Sequence, residues 1–308
     1  MPTIHSINVS SQTGTTKQPV DTAAFNLRGI EGDAHSGTWH RQISLLSIEH
    51  IRRFGESAKV EFKPGDFAEN LTTEGIDFAE LAMFDHLRIG EVELEVTQFG
   101  KKCHGGSCAI FREIGKCVMP KEGIFCRVVK PGRIRVGDAL EVIPSVLPVR
   151  IITLSDRASR GEYEDLGGPQ VKKRVEEYFL GKKWRLAIDN SIIPDDAEQL
   201  RALIRQSVDA GCRILITTGG TGIGPRDITP DVVRGMLDKE IPGIMEYVRC
   251  KYGASVPGAL ISRSIAGVIG SLLVYTLPGS VKAVNEYLAE ILPTVDHSLR
   301  MLAAIDEH

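Results

Sequence analysis

No cysteine precedes Cys103, and only six occur among the 308 residues. Four of them (Cys103, Cys108, Cys117 and Cys126) crowd one short window, while Cys212 and Cys250 stand alone. A framework of structural disulfides would spread its cysteines, so the cluster points to thiol or metal chemistry instead. No apolar run approaches the roughly 18 residues of a membrane span. There is no excess of one charge: a formal net charge of −3 and a pI near 6.3 argue against a broad nucleic-acid surface. The opening Met1-Pro-Thr-Ile-His5 lacks the basic and apolar regions of a signal peptide. The expected location is the cytoplasm.

What is present is a hydrophobic content of 42% with 25% charged residues, the balance of a globular protein, at a length that suggests two domains. The most informative stretch runs from Ile214 to Asp231. An apolar run ends in Thr217 and Thr218, and a loop follows with Gly219, Gly220, Thr221, Gly222 and Gly224. It closes on Arg226-Asp227 and then Thr229-Pro230, which predicts a helix with Thr229 as N-cap and Pro230 at N1. Glycines let backbone N–H groups turn toward an anion, the helix end adds its dipole, and Asp227 sits where a phosphate-bound Mg²⁺ uses a carboxylate. A Walker A loop would end in Gly-Lys-Ser/Thr, and a dinucleotide fingerprint would place glycine where Pro225 stands. The loop therefore reads as a phosphate site of another kind.

Residues 1–145 read as mostly β. Ile4, Ile7 and Val9 alternate, a polar Thr-rich loop runs from Ser10 to Asp21, and Ser47 is a plausible N-cap for a short helix. His86–Ile89 and Val92–Thr97 form a hairpin about Gly90, and Gly132–Asp138 with Ala139–Ile143 suggests another. A proline-punctuated linker follows, Ile143-Pro-Ser-Val-Leu-Pro-Val149. Residues 149–308 then alternate strand and helix, which predicts a three-layer α/β domain with a mostly parallel sheet. Both glycine turns, Gly219–Gly222 and Pro278-Gly279-Ser280, should face one crevice at the strand ends.

Several N-terminal pieces resemble the MOSC domain: Gly32-Asp33 with His35, Gly65-Asp66-Phe67 with Glu69-Asn70-Leu71, Thr73 with Gly75-Ile76, Leu87–Gly90 and Leu94–Thr97. The resemblance implies a barrel-like β fold and a cysteine after the Leu94–Thr97 strand that carries sulfur or contacts the molybdenum cofactor. The matching residue is Cys103. Lys101, Lys102 and His104 flank it and favour the thiolate. Two plainer readings stand beside this one: a small buried side chain, or zinc held by Cys103, Cys108, Cys117 and Cys126 with His104. The cysteine spacings lack the close pairs of structural zinc sites.

The C-terminal half resembles the MogA and gephyrin G-domain family. The likeness rests on Ser155–Ser159 with Gly161, Tyr163, Asp165 and Gly168, on Pro194-Asp195-Asp196, on Thr217–Gly222 with Arg226–Asp231, on Ser262-Arg263 and on Leu277–Ser280. It implies a usually trimeric molybdopterin adenylyltransferase that uses Mg²⁺ and ATP. It further implies catalytic roles for Asp227, through Mg²⁺, and for Asp195. Cofactor or substrate contacts are implied for Ser155, Thr218, Gly219, Gly220, Thr221, Gly222, Arg226, Ser262, Arg263, Pro278, Gly279 and Ser280. A molybdenum-insertion protein or a sulfur donor would be a partner. Asp156 and Asp165 are further candidates. The competing expectation is a non-catalytic molybdopterin carrier or scaffold, with a structural or zinc-binding N-terminal domain.

Overall fold

The computed structural model describes residues 1–101 and 117–305. The chain divides into two compact units: Met1–Ser145, to which Ile305 also belongs, and Val146–Ala304. Among the described residues no helix is long and apolar enough to cross a membrane.

The first unit is mostly strand. Its elements are β1 (Thr3–Val9), β2 (Gln18–Val20), β3 (Thr22–Asn26), β4 (Gly29–Ile30), β5 (Ile43–Ser47), helix α1 (Ile48–Ala58), β6 (Leu71–Glu74), β7 (His86–Ile89), β8 (Val92–Phe99), the short helix α2 (Met119–Glu122), β9 (Ile124–Lys130), β10 (Gly132–Arg135) and β11 (Leu140–Ile143). Eight strands form one sheet in the order β11-β7-β8-β9-β5-β6-β1-β2, and β10-β3-β4 form a second. Their alternating inward residues, among them Ile4, Ile7, Phe25, Ile43, Leu87, Leu94 and Ile134, make one core. Ser47 caps α1 by accepting the His50 N–H. The hairpin expected over Gly132–Ile143 does not form. Ile134 draws β10 onto β3, the left-handed turn at Gly137 redirects the chain, and β11 pairs with β7 instead.

The second unit holds β12 (Leu147–Leu154), α3 (Asp156–Ser159), α4 (Gly167–Phe179), β13 (Leu186–Ile193), α5 (Ala197–Asp209), β14 (Ile214–Thr218), α6 (Thr229–Arg234), β15 (Lys239–Glu240), α7 (Pro242–Gly253), β16 (Ala266–Ile269), β17 (Leu272–Leu277) and α8 (Val281–Leu302). The sheet runs β13-β12-β14-β17-β16-β15. It is mixed: β13, β12, β14 and β17 are parallel, and β16 and β15 add an antiparallel edge. Leu154, Leu215 and Val274 face α5 and α6, while α4 packs on α8 against the other side. The central parallel strands β12 and β14 are buried on both faces, which explains their unbroken apolar runs.

Two helix boundaries depart from the sequence expectation. The backbone at Ile228 is already helical, so Thr229 is the first residue of α6 and not its cap. Its fully buried hydroxyl instead donates to the Gly219 carbonyl at 3.0 Å. The last helix does not stop before its proline, as a helix ordinarily would, but runs through Pro293 to Leu302. Proline removes one helical hydrogen bond, but Val295 and Leu299 continue the buried stripe of Leu288 and Leu292 and hold the chain helical.

Candidate active site

The four parallel strands end in register. Leu154 pairs with Ile193, Thr153 with Thr218, and Thr218 with Leu277. The segments that begin at Ser155, Pro194, Gly219 and Pro278 therefore emerge along one edge of the sheet, where open α/β folds bind ligands.

The glycine loop is tied at its root. Thr218 is fully buried, and its hydroxyl donates to the Pro278 carbonyl at 3.0 Å, fastening one turn to the other. Gly219 adopts φ +103°, and a Cβ there would collide with the Leu154 carbonyl. Its N–H is spent on the Leu277 carbonyl at 2.9 Å. The N–H groups of Gly220, Thr221 and Gly222 meet no acceptor among the described residues. Three consecutive donors are thus open, and Gly219 is structural. Gly219→Ala should lower the unfolding free energy of this unit by about 2–4 kcal/mol, from left-handed strain plus the carbonyl clash. Chemical denaturation of the full-length chain measures it.

The far limb of the loop is held by Asp227 and Arg263. Asp227 accepts the Gly224 N–H at 2.8 Å through one carboxylate oxygen. Arg263 donates to the carbonyls of Gly222 and Asp227 and to both carboxylate oxygens of Asp231. Through these bonds the Arg263 guanidinium ties the loop together.

Beside the loop lies a cavity of about 470 Å³. Gly220, Thr221, Gly222 and Asp227 line one wall; Ser262 and the apolar Val256, Ala259 and Ile261 line another; Pro278, Gly279 and Ser280 lead into α8, whose Lys282, Glu286 and Tyr287 complete it. Ser280 caps α8 by accepting the Ala283 N–H at 3.3 Å, and helix geometry leaves the N–H groups of Val281 and Lys282 without intrahelical acceptors. This 22-residue helix, not the six-residue α6, brings the useful dipole to the cavity. The cavity is an anion cradle opening onto an apolar slot.

The remaining candidates stand behind or beside it. Asp195 lies close to the loop, its carboxylate 3.6 Å from where a Gly220 Cβ would be, but it does not line the cavity. Burial, then the charges of Asp156 and Asp227, push its carboxyl above the usual carboxylate range. Asp156 accepts the Asp195 N–H at 3.1 Å and the Arg226 guanidinium at 3.0 Å, which hold its own carboxyl below that range. Arg226 is mostly exposed. Ser155 caps α3, and Asp165 is filled by the N–H groups of Gly167 and Gly168 and by Thr153. Among the described residues no three His, Cys, Asp or Glu side chains could hold a metal ion.

A second charged cluster lies in the first unit. Lys17 and Asp33 pair at 2.6 Å with side chains 0% and 1% exposed, and His35 Nδ1 lies 3.3 Å from the ammonium. Burial alone would raise the Asp33 carboxyl; hydrogen bonds from His35 and Lys17, with the lysine charge, outweigh it and hold Asp33 well below its usual value. Glu69, fully buried, accepts from Gly65 N–H and Thr72, while its other oxygen has no partner among the described residues, and burial pushes its carboxyl up. Lys17 carried no signal in the sequence, since lysine in a polar Thr-rich loop is ordinarily solvated. Cys103, Cys108 and His104 lie outside the described residues; Cys126 is fully buried in β9, where burial pushes its thiol up and it packs in the core.

Comparison with known proteins now bears on both units. Residues 150–297 match the family described as a probable molybdopterin binding domain. Molybdopterin adenylyltransferase of Helicobacter pylori (strain J99) is 33% identical over 155 residues, which are 50% of this chain and 86% of that protein. The chain belongs to the molybdopterin-binding domain family. Molybdopterin adenylyltransferase of Escherichia coli (strain K12) is 32% identical over 145 residues, 47% of this chain and 73% of its own. Gephyrin of Dictyostelium discoideum is 33% identical over 160 residues, but the chain spans only 22% of its length. Among solved structures, the molybdopterin biosynthesis enzyme MoaB of Thermus thermophilus is 34% identical, covering 53% of this chain and 100% of that one with a TM-score of 0.46. Ahead of the molybdopterin-binding unit, residues 32–141 match the MOSC domain; the Asp33 and Glu69 of the buried cluster fall inside that match.

Proposed function

We propose that this protein acts in molybdenum cofactor biosynthesis, its molybdopterin-binding unit transferring the adenylyl group of ATP to the terminal phosphate of molybdopterin. The observation that carries this reading is the cavity itself, with the open N–H groups of Gly220–Gly222, the α8 N-terminus and the Asp227 carboxylate around one polyanion-sized space. A pterin phosphate oxygen attacks the α-phosphorus of ATP in line, the α–β bridging bond breaks, and pyrophosphate leaves with that electron pair. The nucleophile is already anionic, so alignment and charge neutralisation matter more than a strong base. The loop and helix donors hold the phosphates, and Thr218 with Arg263 keeps the loop in shape.

The donor set fits Mg²⁺. Asp227 keeps one oxygen clear of the Gly224 bond, and the lack of a three-residue cage among the described residues suits an ion shared with substrate phosphates. When bound, the ion would neutralise phosphate charge; Asp227 would hold it. For the MOSC unit we extend the proposal to handling sulfur or the cofactor through Cys103, two residues beyond Lys101, whose charge is felt at the buried Lys17. A cytoplasmic homotrimer belongs to the same reading and is what the family resemblance implies.

Pyrophosphate release by the full-length chain with Mg-ATP, with and without molybdopterin, tests it. Release that depends on the pterin is the expected result. Pterin binding with no release would replace the transferase with a carrier.

A further inference from the structure

The charged side chains lining the cavity, among the described residues, are Asp227, Lys282 and Glu286. Asp227 belongs to the phosphate end. Glu286 lies six residues beyond Ser280, so the helical rise sets it about 9 Å along α8 from the anion cradle. Its side chain is 23% exposed, and the Lys282 ammonium, itself 72% exposed, lies 3.8 Å away on the preceding turn. Next to Glu286 is Tyr287, 2% exposed, whose hydroxyl is shielded from solvent and has no hydrogen-bond partner among the described residues. Between these polar groups the wall is apolar: Val256 and Ile261 are both partly exposed. The cavity thus sets exposed apolar side chains and the Glu286 carboxylate along one space.

Resting on the adenylyl-transfer reading above, we propose that Glu286 selects the pterin ring of the substrate by accepting its 2-amino and adjacent ring N–H. The 2-amino-4-oxo pyrimidine edge presents two neighbouring donors, which a carboxylate accepts as a matched pair. Adenine presents one amino donor beside a ring acceptor, whose lone pair the carboxylate repels. The same residue therefore draws the pterin into this slot and turns the nucleotide base away from it. Asp227 and Glu286 divide the work: one faces the phosphate chemistry, the other identifies the heterocycle. Lys282 is a positioning residue whose ammonium, 3.8 Å away, directs the Glu286 carboxylate.

The test is a binding titration of the full-length chain without ATP, followed by pterin fluorescence. The probes are a 6-substituted pterin monophosphate and its lumazine counterpart, in which a 2-oxo group replaces the 2-amino group. Wild-type protein should prefer the pterin by about 10- to 100-fold, the loss expected when one of the carboxylate's two donors is replaced by an acceptor oxygen. Glu286→Gln should weaken pterin binding by about 10- to 100-fold, change lumazine binding by less than about threefold, and so erase the preference. A wild-type protein that binds both probes equally, or a Glu286→Gln protein that keeps the preference, overturns this assignment and leaves adenylyl transfer standing. A wild-type protein that binds neither probe and releases no pyrophosphate overturns the parent reading instead.

Discussion

Asp227→Asn lowers pterin-dependent pyrophosphate release by about 10³-fold or more, with the fold intact, if Asp227 is the carboxylate that meets the phosphate charge. Asparagine keeps an oxygen that can accept the Gly224 N–H, and the Arg263 bonds run to the main-chain carbonyls of Gly222 and Asp227. The loop therefore retains its ties, and stability should change by about 1 kcal/mol or less. What is lost is the negative charge that would hold Mg²⁺ against the phosphates. Pterin binding measured without ATP should fall far less than turnover, because Gly220–Gly222 and the α8 N-terminus still cradle the phosphate. Full activity in this variant would remove Asp227 from the chemistry and shift attention to Asp195, whose raised carboxyl lies just behind the loop.

Much of this site was legible because its chemistry is local. Four glycines, three threonines and Asp227 within one turn can be read for backbone bending and phosphate contact without a fold, and the apolar runs before them predict the buried strands. The second turn at Pro278–Ser280 was legible for the same reason. The bracing role of Arg263 was not legible, because its partners lie 41 and 36 residues earlier, at Gly222 and Asp227, and only the folded chain brings them together. The α6 dipole was misplaced for a smaller reason: Ile228 enters the helix early, which turns Thr229 from a cap into a strut. Glu286 gave no sign at all, since an i,i+4 Lys-Glu pair on a helix ordinarily marks a solvated face. Its cavity exists only once α8 meets the glycine loop.

Lys17 is the furthest of these from sequence logic, and the second large effect follows from it. The surrounding loop is polar, yet Gly65 adopts φ +91° and lets the backbone close against the Lys17 carbonyl, so the side chain is driven inward to Asp33. Lys17→Met should then destabilise the first unit by about 3–5 kcal/mol, because it leaves the Asp33 carboxylate buried without its lysine, held only by the Ser10 N–H and by the N–H and ring of His35. Adding Asp33→Asn should recover much of that loss, since removing both charges also removes the unpaired one. The pH dependence has a definite sign. Asp33 titrates below its unfolded value in the native protein, so its contribution is fully present above roughly pH 5 and lost as pH falls through the native value. The gap between wild type and Lys17→Met should narrow over that fall. Hydrogen exchange on the full-length chain reads the two units separately: amides in β1, β5 and β6 should lose protection while those of β12 and β14 keep theirs. A cost below about 1 kcal/mol would mean that water reaches Asp33 as soon as the ammonium leaves, and the pair would then be a gated surface feature instead of a buried one.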